Sequence, residues 1–175
     1  MKGRLRNEHP FMGVQGRSQM RRKEKKIEDR QTIRSLLNRS HVGRIATINR
    51  KGFPVIKPVN FLYWEDKIYI HSSTKGEKAT DIRRGSPVCF EVDEPIAYGA
   101  AAGSPCTANY YFRSIIVKGK ASFVKHPERK RGLLERLMKK YQPEGGYGDI
   151  PDPLLRKTAV IEISAQEVTG KQSLG

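Results

Sequence analysis

Cysteine is scarce in this chain of 175 residues, and long apolar runs are missing. Cys89 and Cys106 lie 17 positions apart and form no CxxC or Cys/His pattern, which argues against a disulfide framework and a zinc site. No run of about 18 apolar residues occurs, and no apolar signal-peptide core follows the basic N-terminal segment. The sequence therefore predicts a cytoplasmic protein with no membrane span, secretion signal or metal site.

The familiar nucleotide-binding and hydrolytic motifs are missing too. No GxGxxG follows a predicted strand and no GxxxxGKS/T occurs, so the usual dinucleotide and nucleoside-triphosphate fingerprints are absent. No Ser/His/Asp or Cys/His arrangement can be recognised, and the carboxylates form no distinctive pair, which argues against a hydrolase. The remaining candidates are anion or phosphate sites built from sheet residues.

Positive charge is abundant, with 34 Lys and Arg against 18 Asp and Glu and a formal net charge of +16. Such a surface attracts nucleic acid, anionic lipid or anionic small molecules. The excess is spread along the chain, because residues 1–30 hold ten basic and four acidic residues. Aromatic residues make up only 8% and do not recur among Arg and Lys as a stacking set, which argues against a nucleic-acid-binding barrel.

Residues 1–26 lack a sustained apolar period and predict a basic flexible arm, whereas residues 27–175 predict one domain. Helices are expected at Glu28–Arg39 and at Pro127–Tyr141, where leucines share one face. The predicted strands are Arg44–Asn49, Pro54–Tyr63, Lys67–Ser72, Pro87–Val92, Tyr110–Val124 and Thr158–Ile163. Six strands with about three helices predict a mainly β fold, an antiparallel sheet that closes or curls into a barrel, because closure removes exposed edges.

The segment Lys67–Lys78 is the most informative, because a predicted strand ends there in hydroxyls, a glycine and lysines. The hydroxyl groups are donors, the glycine permits close approach of the backbone to an anion, and the lysines supply positive charge. These residues are Ser72, Ser73, Thr74, Lys75, Gly76 and Lys78. A short helix predicted over residues 79–84 would direct further N–H groups at the anion. The alternative is a polar connection with solvated lysines.

Three other segments could complete such a site. In Lys57-Pro58-Val59-Asn60 the proline predicts an edge or bulge with free backbone groups, or simply a protected edge strand. Arg113 and Ser114 open an otherwise apolar strand, where the arginine could bind phosphate or lie in water. Val168-Thr169-Gly170-Lys171 ends another strand with a hydroxyl, a glycine and a lysine. Each segment alone is a weak signal.

In their joint order these segments resemble the FMN-binding split-barrel family related to pyridoxamine 5'-phosphate oxidase, and within it the nitroimidazole-resistance-type flavoproteins. The resemblance runs from about residue 28 to residue 173. It rests on His41-Val42-Gly43-Arg44-Ile45-Ala46, Gly52-Phe53-Pro54, Pro58-Val59-Asn60-Phe61, Ile68-Tyr69-Ile70-His71-Ser72 with Gly76 and Lys78, Ser86-Pro87-Val88-Cys89-Phe90-Glu91-Val92-Asp93, Ser114-Ile115-Ile116 with Gly119, and Thr169-Gly170-Lys171. Residues 96–108 depart from the pattern as a variable insertion that would cover the flavin or shape a substrate pocket.

The resemblance implies a six-stranded split β-barrel that forms a homodimer, with one FMN in each of two clefts between subunits. It implies that Lys57, Pro58, Val59 and Asn60 line the isoalloxazine ring. His71, Ser72 and Ser73 would follow the ribityl chain and ring, and Lys75, Gly76 and Lys78 would lie near the phosphate. Arg113 and Ser114 would approach from the third strand. His71 could equally be a structural histidine at a strand end.

The leading functional hypothesis from the resemblance is an NAD(P)H-dependent flavoprotein reductase of small acceptors such as nitro-aromatic compounds. No side chain is identified as a catalytic acid or base. A second hypothesis is a non-enzymatic protein that stores or senses flavin or heme. A nucleic-acid-binding barrel is the third.

Overall fold

A computed structural model of the protein describes residues 20–174, in which antiparallel strands predominate. The strands are β1 Lys26–Ile27, β2 Val42–Ile48, β3 Pro54–Asn60, β4 Leu62–Trp64, β5 Lys67–Ser73, β6 Pro87–Gly99, β7 Asn109–Phe123 and β8 Thr158–Ser173. The helices are α1 Arg30–Arg39, α2 Glu77–Arg83, α3 Pro127–Tyr141 and α4 Asp152–Lys157, with 3-10 turns at Lys23–Lys25 and Pro105–Thr107. No helix of the described region is long and apolar enough to cross a membrane.

The strands form one sheet in the order β3-β2-β6-β7-β8-β5-β4, and β1 pairs with β8. The two ends of the sheet are adjacent in sequence, because Phe61 alone joins β3 to β4. No ladder links these ends in the described part of the chain, although β3 and β5 approach each other. The curled sheet is therefore a barrel that is split between β3 and the β4-β5 pair.

The interior of the barrel holds the main apolar core. Alternate residues of each strand point inward, as the period of two requires. They include Ile45, Phe90, Val92, Ile115, Val117, Ile161 and Ile163, all at most 2% exposed. A second cluster lies outside the sheet, where Leu133, Leu134 and Leu137 of α3 pack against Tyr69 and Val160.

The predicted mainly β, antiparallel class is confirmed, and α3 has the predicted bounds. The predicted strand Pro54–Tyr63 is interrupted at Phe61, where the chain passes from one end of the sheet to the other. The last strand continues to Ser173 because it pairs with nearly the whole of β7. The short β1, β4 and α4 add to the predicted six strands and three helices.

The proposed arm is only partly described, whereas the insertion is described in full. Residues 1–19 lie outside the described residues, so the flexibility of the arm stays a prediction. At its end, Lys26 pairs with Lys171, and the Lys25 Nζ donates to the Ser173 Oγ at 2.9 Å. The insertion, residues 96–108, forms the end of the β6-β7 hairpin.

The C-terminal end of α3 closes the barrel at its split. The Tyr141 hydroxyl accepts a hydrogen bond from the Phe61 backbone N at 2.9 Å, and it lies 2.5 Å from the His41 carbonyl oxygen. Lys140 Nζ donates to the Ser40 carbonyl at 2.7 Å and lies 4.0 Å from the centre of the Phe61 ring. The two side chains therefore tie the start of β2 to the β3-β4 corner.

We expect Tyr141→Phe to lower the free energy of unfolding by about 1–3 kcal/mol, because the Phe61 N–H and a nearby carbonyl lose their partner. Urea unfolding of the two proteins measures the change. Tyr147→Phe is the control, because the Tyr147 ring is 38% exposed and its hydroxyl makes no hydrogen bond within residues 20–174. Equal losses in both variants would contradict the proposed closing role of Tyr141.

Stability should also depend on the charge of Lys140. Burial lowers the pKa of Lys140 from an ordinary 10.5 to about 8, even though the Ser40 carbonyl and the Phe61 ring favour its charged form. The unfolded chain then holds this proton more tightly, so the cost of burying the charge is present below pH 8 and disappears towards pH 10.5. The stability of the wild type relative to Lys140→Met should therefore rise over this range in urea titrations. A stability difference between the two proteins that stays constant or falls over this range would contradict the lowered pKa of Lys140.

Candidate functional site

Two lysines meet beside the split of the barrel, although 21 positions separate them in the sequence. Lys57 stands opposite Ile45 on β2, so its side chain belongs to the inner face of the sheet. Its Nζ lies 3.1 Å from the Glu77 Oε2, at the first residue of α2. Lys78 follows directly, and we call Lys57, Glu77 and Lys78 the lysine cluster.

Lys78 is the unusual member of the lysine cluster. Its side chain is about half-buried, and burial together with the neighbouring charge of Lys57 lowers the pKa of Lys78. No hydrogen bond or ion pair engages its ammonium group within residues 20–174. Two close ammonium groups that share only one neighbouring carboxylate form a site that an external anion would stabilise.

The turn from β5 into α2 brings the cluster together. Gly76 has a φ of +102°, a conformation that L side chains rarely adopt, and a Cβ there would meet nothing within 4 Å. Below it, Asp81 is 1% exposed and accepts a hydrogen bond from the Thr47 Oγ1 at 3.0 Å. Arg84 also pairs with Asp81, at 3.3 Å. These contacts fix α2 against β2, so Glu77 and Lys78 are held in place.

The hydroxyls of β5 do not all face the lysine cluster. Ser72 has the same parity as Ile70 and lies on the inner face, whereas His71 and Ser73 share the outer face with Tyr69. The Ser73 Oγ accepts a hydrogen bond from the Lys75 backbone N at 3.1 Å. The structure therefore brings Ser72 to the inner side of the split and directs His71 and Ser73 to the opposite side of the strand.

Strand β3 provides an open edge beside the cluster. In the described part of the chain it pairs only with β2 and ends the sheet, as Pro58 within a strand predicts. Lys57 and Val59 point inward, and Pro58 and Asn60 point outward. The edge of β3 that faces the split has no ladder partner among the described residues. It is available to a planar group that hydrogen-bonds to the backbone.

Arg113 and Ser114 lie elsewhere in the chain. The Arg113 guanidinium contacts Glu94 at 3.4 Å and Gln172 at 3.5 Å, and within residues 20–174 no side-chain hydrogen bond joins it to the lysine cluster. Ser114 stands opposite Asp93 and Lys171 on the outer face of the sheet. Of the predicted residues, Lys57, Ser72 and Lys78 therefore lie on the inner side of the split, whereas Pro58, Asn60, His71 and Ser73 point away from it and Arg113 and Ser114 belong to β7.

The sequence analysis missed two polar residues of the site. Glu77 pairs with Lys57, and the Asn49 Nδ2 donates to the Glu77 Oε1 at 3.4 Å. The Asn49 Oδ1 in turn accepts from the Lys51 and Phe53 backbone N atoms, both at 3.0 Å, which holds its side chain in the β2-β3 hairpin. Glu77 was visible between Gly76 and Lys78, but nothing in the sequence pairs it with Lys57.

In a second polar region, Lys67 and Arg129 both have an ion-pair partner, the Glu162 carboxylate. A surface groove at the start of α3 is lined by Ser122, Phe123, Val124, Lys125, His126, Arg129 and Glu162. Burial raises the pKa of Glu162, but the ion pairs with Lys67 at 2.6 Å and Arg129 at 2.9 Å outweigh it and lower this pKa. No group of three or more His, Cys, Asp or Glu residues in the described region could hold a metal. The lysine cluster is thus the stronger candidate site.

Comparisons with known proteins agree with this architecture. A candidate 5-nitroimidazole antibiotic resistance protein from Bacteroides thetaiotaomicron VPI-5482 is 26% identical, with a TM-score of 0.71 over 84% of this chain and 86% of its own. The FAD and heme binding protein from Mycobacterium smegmatis is 22% identical, with a TM-score of 0.77 over 86% of this chain and 74% of its own. A flavocytochrome from Azotobacter vinelandii is 20% identical, with a TM-score of 0.80 over 89% of this chain and 72% of its own. The last two likenesses show the shared fold.

A comparison with curated proteins found no match. The family model for pyridoxamine 5'-phosphate oxidase, however, matches residues 29–172. This range contains β2 to β7, all four helices and nearly all of β8. The chain therefore belongs to the pyridoxamine 5'-phosphate oxidase family of split barrels.

Proposed function

We propose that the protein binds FMN at the split of the barrel and acts as an NAD(P)H-dependent reductase of small acceptors such as nitro-aromatic compounds. The observation that carries the proposal is the half-buried Lys78, which lies beside Lys57 without a partner of its own in the described region. Such a pair suits a terminal phosphate. Relatives named for FAD, heme and nitroimidazole resistance support a flavin as the ligand.

The residues around the split fit the parts of FMN. Lys57 and Lys78 would hold the phosphate, and Lys75 and Gly76 would border it. Ser72 on the inner face would donate to the ribityl chain, whereas His71 and Ser73 would reach the ligand only around the end of β5. The open edge of β3 from Lys57 to Asn60 would hold the ring through backbone groups. When bound, FMN supplies the hydride and electron chemistry, and these residues bind and orient it.

We further propose a homodimer in which Arg113 and Ser114 approach the flavin of the partner, and whose interface is the outer face of the sheet, the face that carries Ser114. Exposed apolar side chains lie on this face, with Ile56 64%, Val42 49% and Ile116 37% exposed. Large exposed apolar side chains that share one face are typical of interaction surfaces. The predicted cytoplasmic location remains part of this proposal.

We expect Ile116→Arg to give a monomer and to weaken FMN binding at least about tenfold, because a buried unpaired charge at the interface costs more than about 1.4 kcal/mol. Size-exclusion chromatography with light scattering and a flavin titration measure the two effects. Leu154→Arg is the control, since Leu154 is 57% exposed but belongs to α4. An Ile116→Arg protein that remains a dimer with unchanged affinity would contradict this interface.

The function is tested by the absorbance spectrum of the purified protein, chromatography of any released chromophore, and anaerobic addition of NADH or NADPH. Bound FMN that either nicotinamide reduces and a nitro-aromatic compound reoxidises would support the proposal. Bound flavin that neither nicotinamide reduces would favour a non-enzymatic flavin-binding protein, and a Soret band would favour heme. A colourless protein that takes up no flavin would reject the proposal, and salt-dependent oligonucleotide binding would then favour the nucleic-acid alternative.

A further inference from the structure

The lysine cluster already contains an anion of its own. The Glu77 carboxylate lies 3.1 Å from the Lys57 Nζ and accepts from the Asn49 Nδ2 at 3.4 Å. Lys57 and Glu77 are 38% and 46% exposed, so a ligand could reach both groups. The Glu77 carboxylate is therefore already paired with the Lys57 ammonium group, to which a ligand phosphate would also bind.

The net positive charge of the lysine cluster is therefore smaller than the negative charge of a phosphate monoester. Two ammonium groups and one carboxylate leave a single net positive charge. A phosphate monoester carries about 1.5 to 2 negative charges at pH 7, since its second pKa lies near 6. In a dinucleotide flavin two negative charges are spread over the two phosphates of a diphosphate, so each phosphate carries only one. The cluster with Glu77 present thus matches a singly charged phosphate better than a doubly charged one.

We propose that Glu77 is a specificity-determining residue that competes with the ligand phosphate for Lys57 and so sets the relative affinity for FMN and FAD. This inference rests on the proposed flavin site. A bound monoester phosphate would have to displace Glu77 from Lys57 or lie beside its negative charge. Both alternatives weaken the binding of FMN more than the binding of FAD. Neither affects the binding of riboflavin, which has no phosphate.

The experiment compares the wild type with Glu77→Gln in fluorescence titrations of flavin-free protein with riboflavin, FMN and FAD. We expect the variant to bind FMN about tenfold more tightly and FAD about threefold more tightly, with riboflavin unchanged, because the gain follows the phosphate charge. The FMN gain should shrink as the salt concentration rises, since partly exposed charges are screened.

Glu128→Gln is the matched control. Glu128 is also in the first turn of a helix, is exposed and makes no ion pair in the described region, so its replacement changes the net charge and the helix terminus in the same way. It should leave all three affinities unchanged. Glu77→Ala also removes the carboxylate but leaves a smaller side chain, and it should give gains in affinity in the same order, FMN before FAD before riboflavin. Circular dichroism tests whether each variant is folded.

Three results would overturn the inference. These are an unchanged or weaker FMN affinity in Glu77→Gln, an equal gain for riboflavin, or an equal gain in Glu128→Gln. In each of them the wild type still binds flavin, so the proposed function would stand. If the wild type and all variants fail to bind any of the three flavins, the proposed function fails and the role of Glu77 fails with it.

Discussion

Replacing both Lys57 and Lys78 with Met is expected to weaken FMN binding by about 1,000-fold while leaving riboflavin binding nearly unchanged. A hydrogen bond to a charged group contributes about 1.5–3 kcal/mol, and each 1.4 kcal/mol is a factor of ten in affinity. The partial exposure of the Lys57 side chain, 38%, places the expected effect below the upper end of that range. Fluorescence titrations with both flavins measure the change.

The single variants should differ from each other. Lys78→Met should cost more FMN affinity than Lys57→Met, because Glu77 already pairs with Lys57, whereas Lys78 has no such partner in the described region. Lys139→Met is the control, since Lys139 is an exposed residue in the last turn of α3. If riboflavin and FMN lose affinity equally in the double variant, the lysines do not bind the phosphate and the proposed orientation of the flavin is wrong.

Gly119→Ala is expected to lower the free energy of unfolding by about 3 kcal/mol or more, a large part of the roughly 5–15 kcal/mol that is typical of a folded protein. A Cβ at Gly119 would lie 2.1 Å from the Ser164 carbonyl oxygen, a backbone atom of the neighbouring strand. The pairing of β7 with β8 shifts its register at this point, between Lys118 and Gly119. The strands would have to separate to admit a methyl group.

The control for Gly119→Ala is Gly132→Ala in α3. A Cβ at Gly132 meets nothing within 4 Å, and alanine is preferred over glycine inside a helix by about 0.5–1 kcal/mol, so this variant should be more stable than the wild type. Thermal and urea unfolding compare the two. A Gly119→Ala protein as stable as the wild type would show that β7 and β8 are farther apart there than the structure indicates.

Much of the fold could be predicted because its signals are local. The leucine spacing and Pro127 predict α3 over the bounds that the structure has, and Pro58 predicts an edge strand. The end of β8 was harder to predict, because apolar and polar residues do not strictly alternate from Ala165 to Gln172. It is a strand because β7 provides a ladder partner along its length. The helix α4 was missed since its surroundings, residues 142–153, are rich in Gly and Pro.

The candidate site was predicted less completely than the fold. The residue types that suit a phosphate were recognisable in Lys67–Lys78, and the order of motifs indicated the family that the chain belongs to. Strand alternation nevertheless places Ser72 on one face of β5 and His71 and Ser73 on the other. The prediction named these three residues together and did not separate the two faces. The roles assigned to Arg113 and Ser114 remain predictions.

The sequence by itself determined the mainly β class, the amphipathic α3, the glycine that ends β5 and a strong positive charge, because each depends on neighbouring residues or on composition. Only the tertiary structure decided that Lys57 pairs with Glu77 and lies close to Lys78, and that Tyr141 closes the split at Phe61. These contacts join residues far apart in the chain, and they form only when the packing of α2 and α3 against the curled sheet fixes their positions. Local preferences select the elements, whereas the burial of their apolar faces decides which polar groups meet.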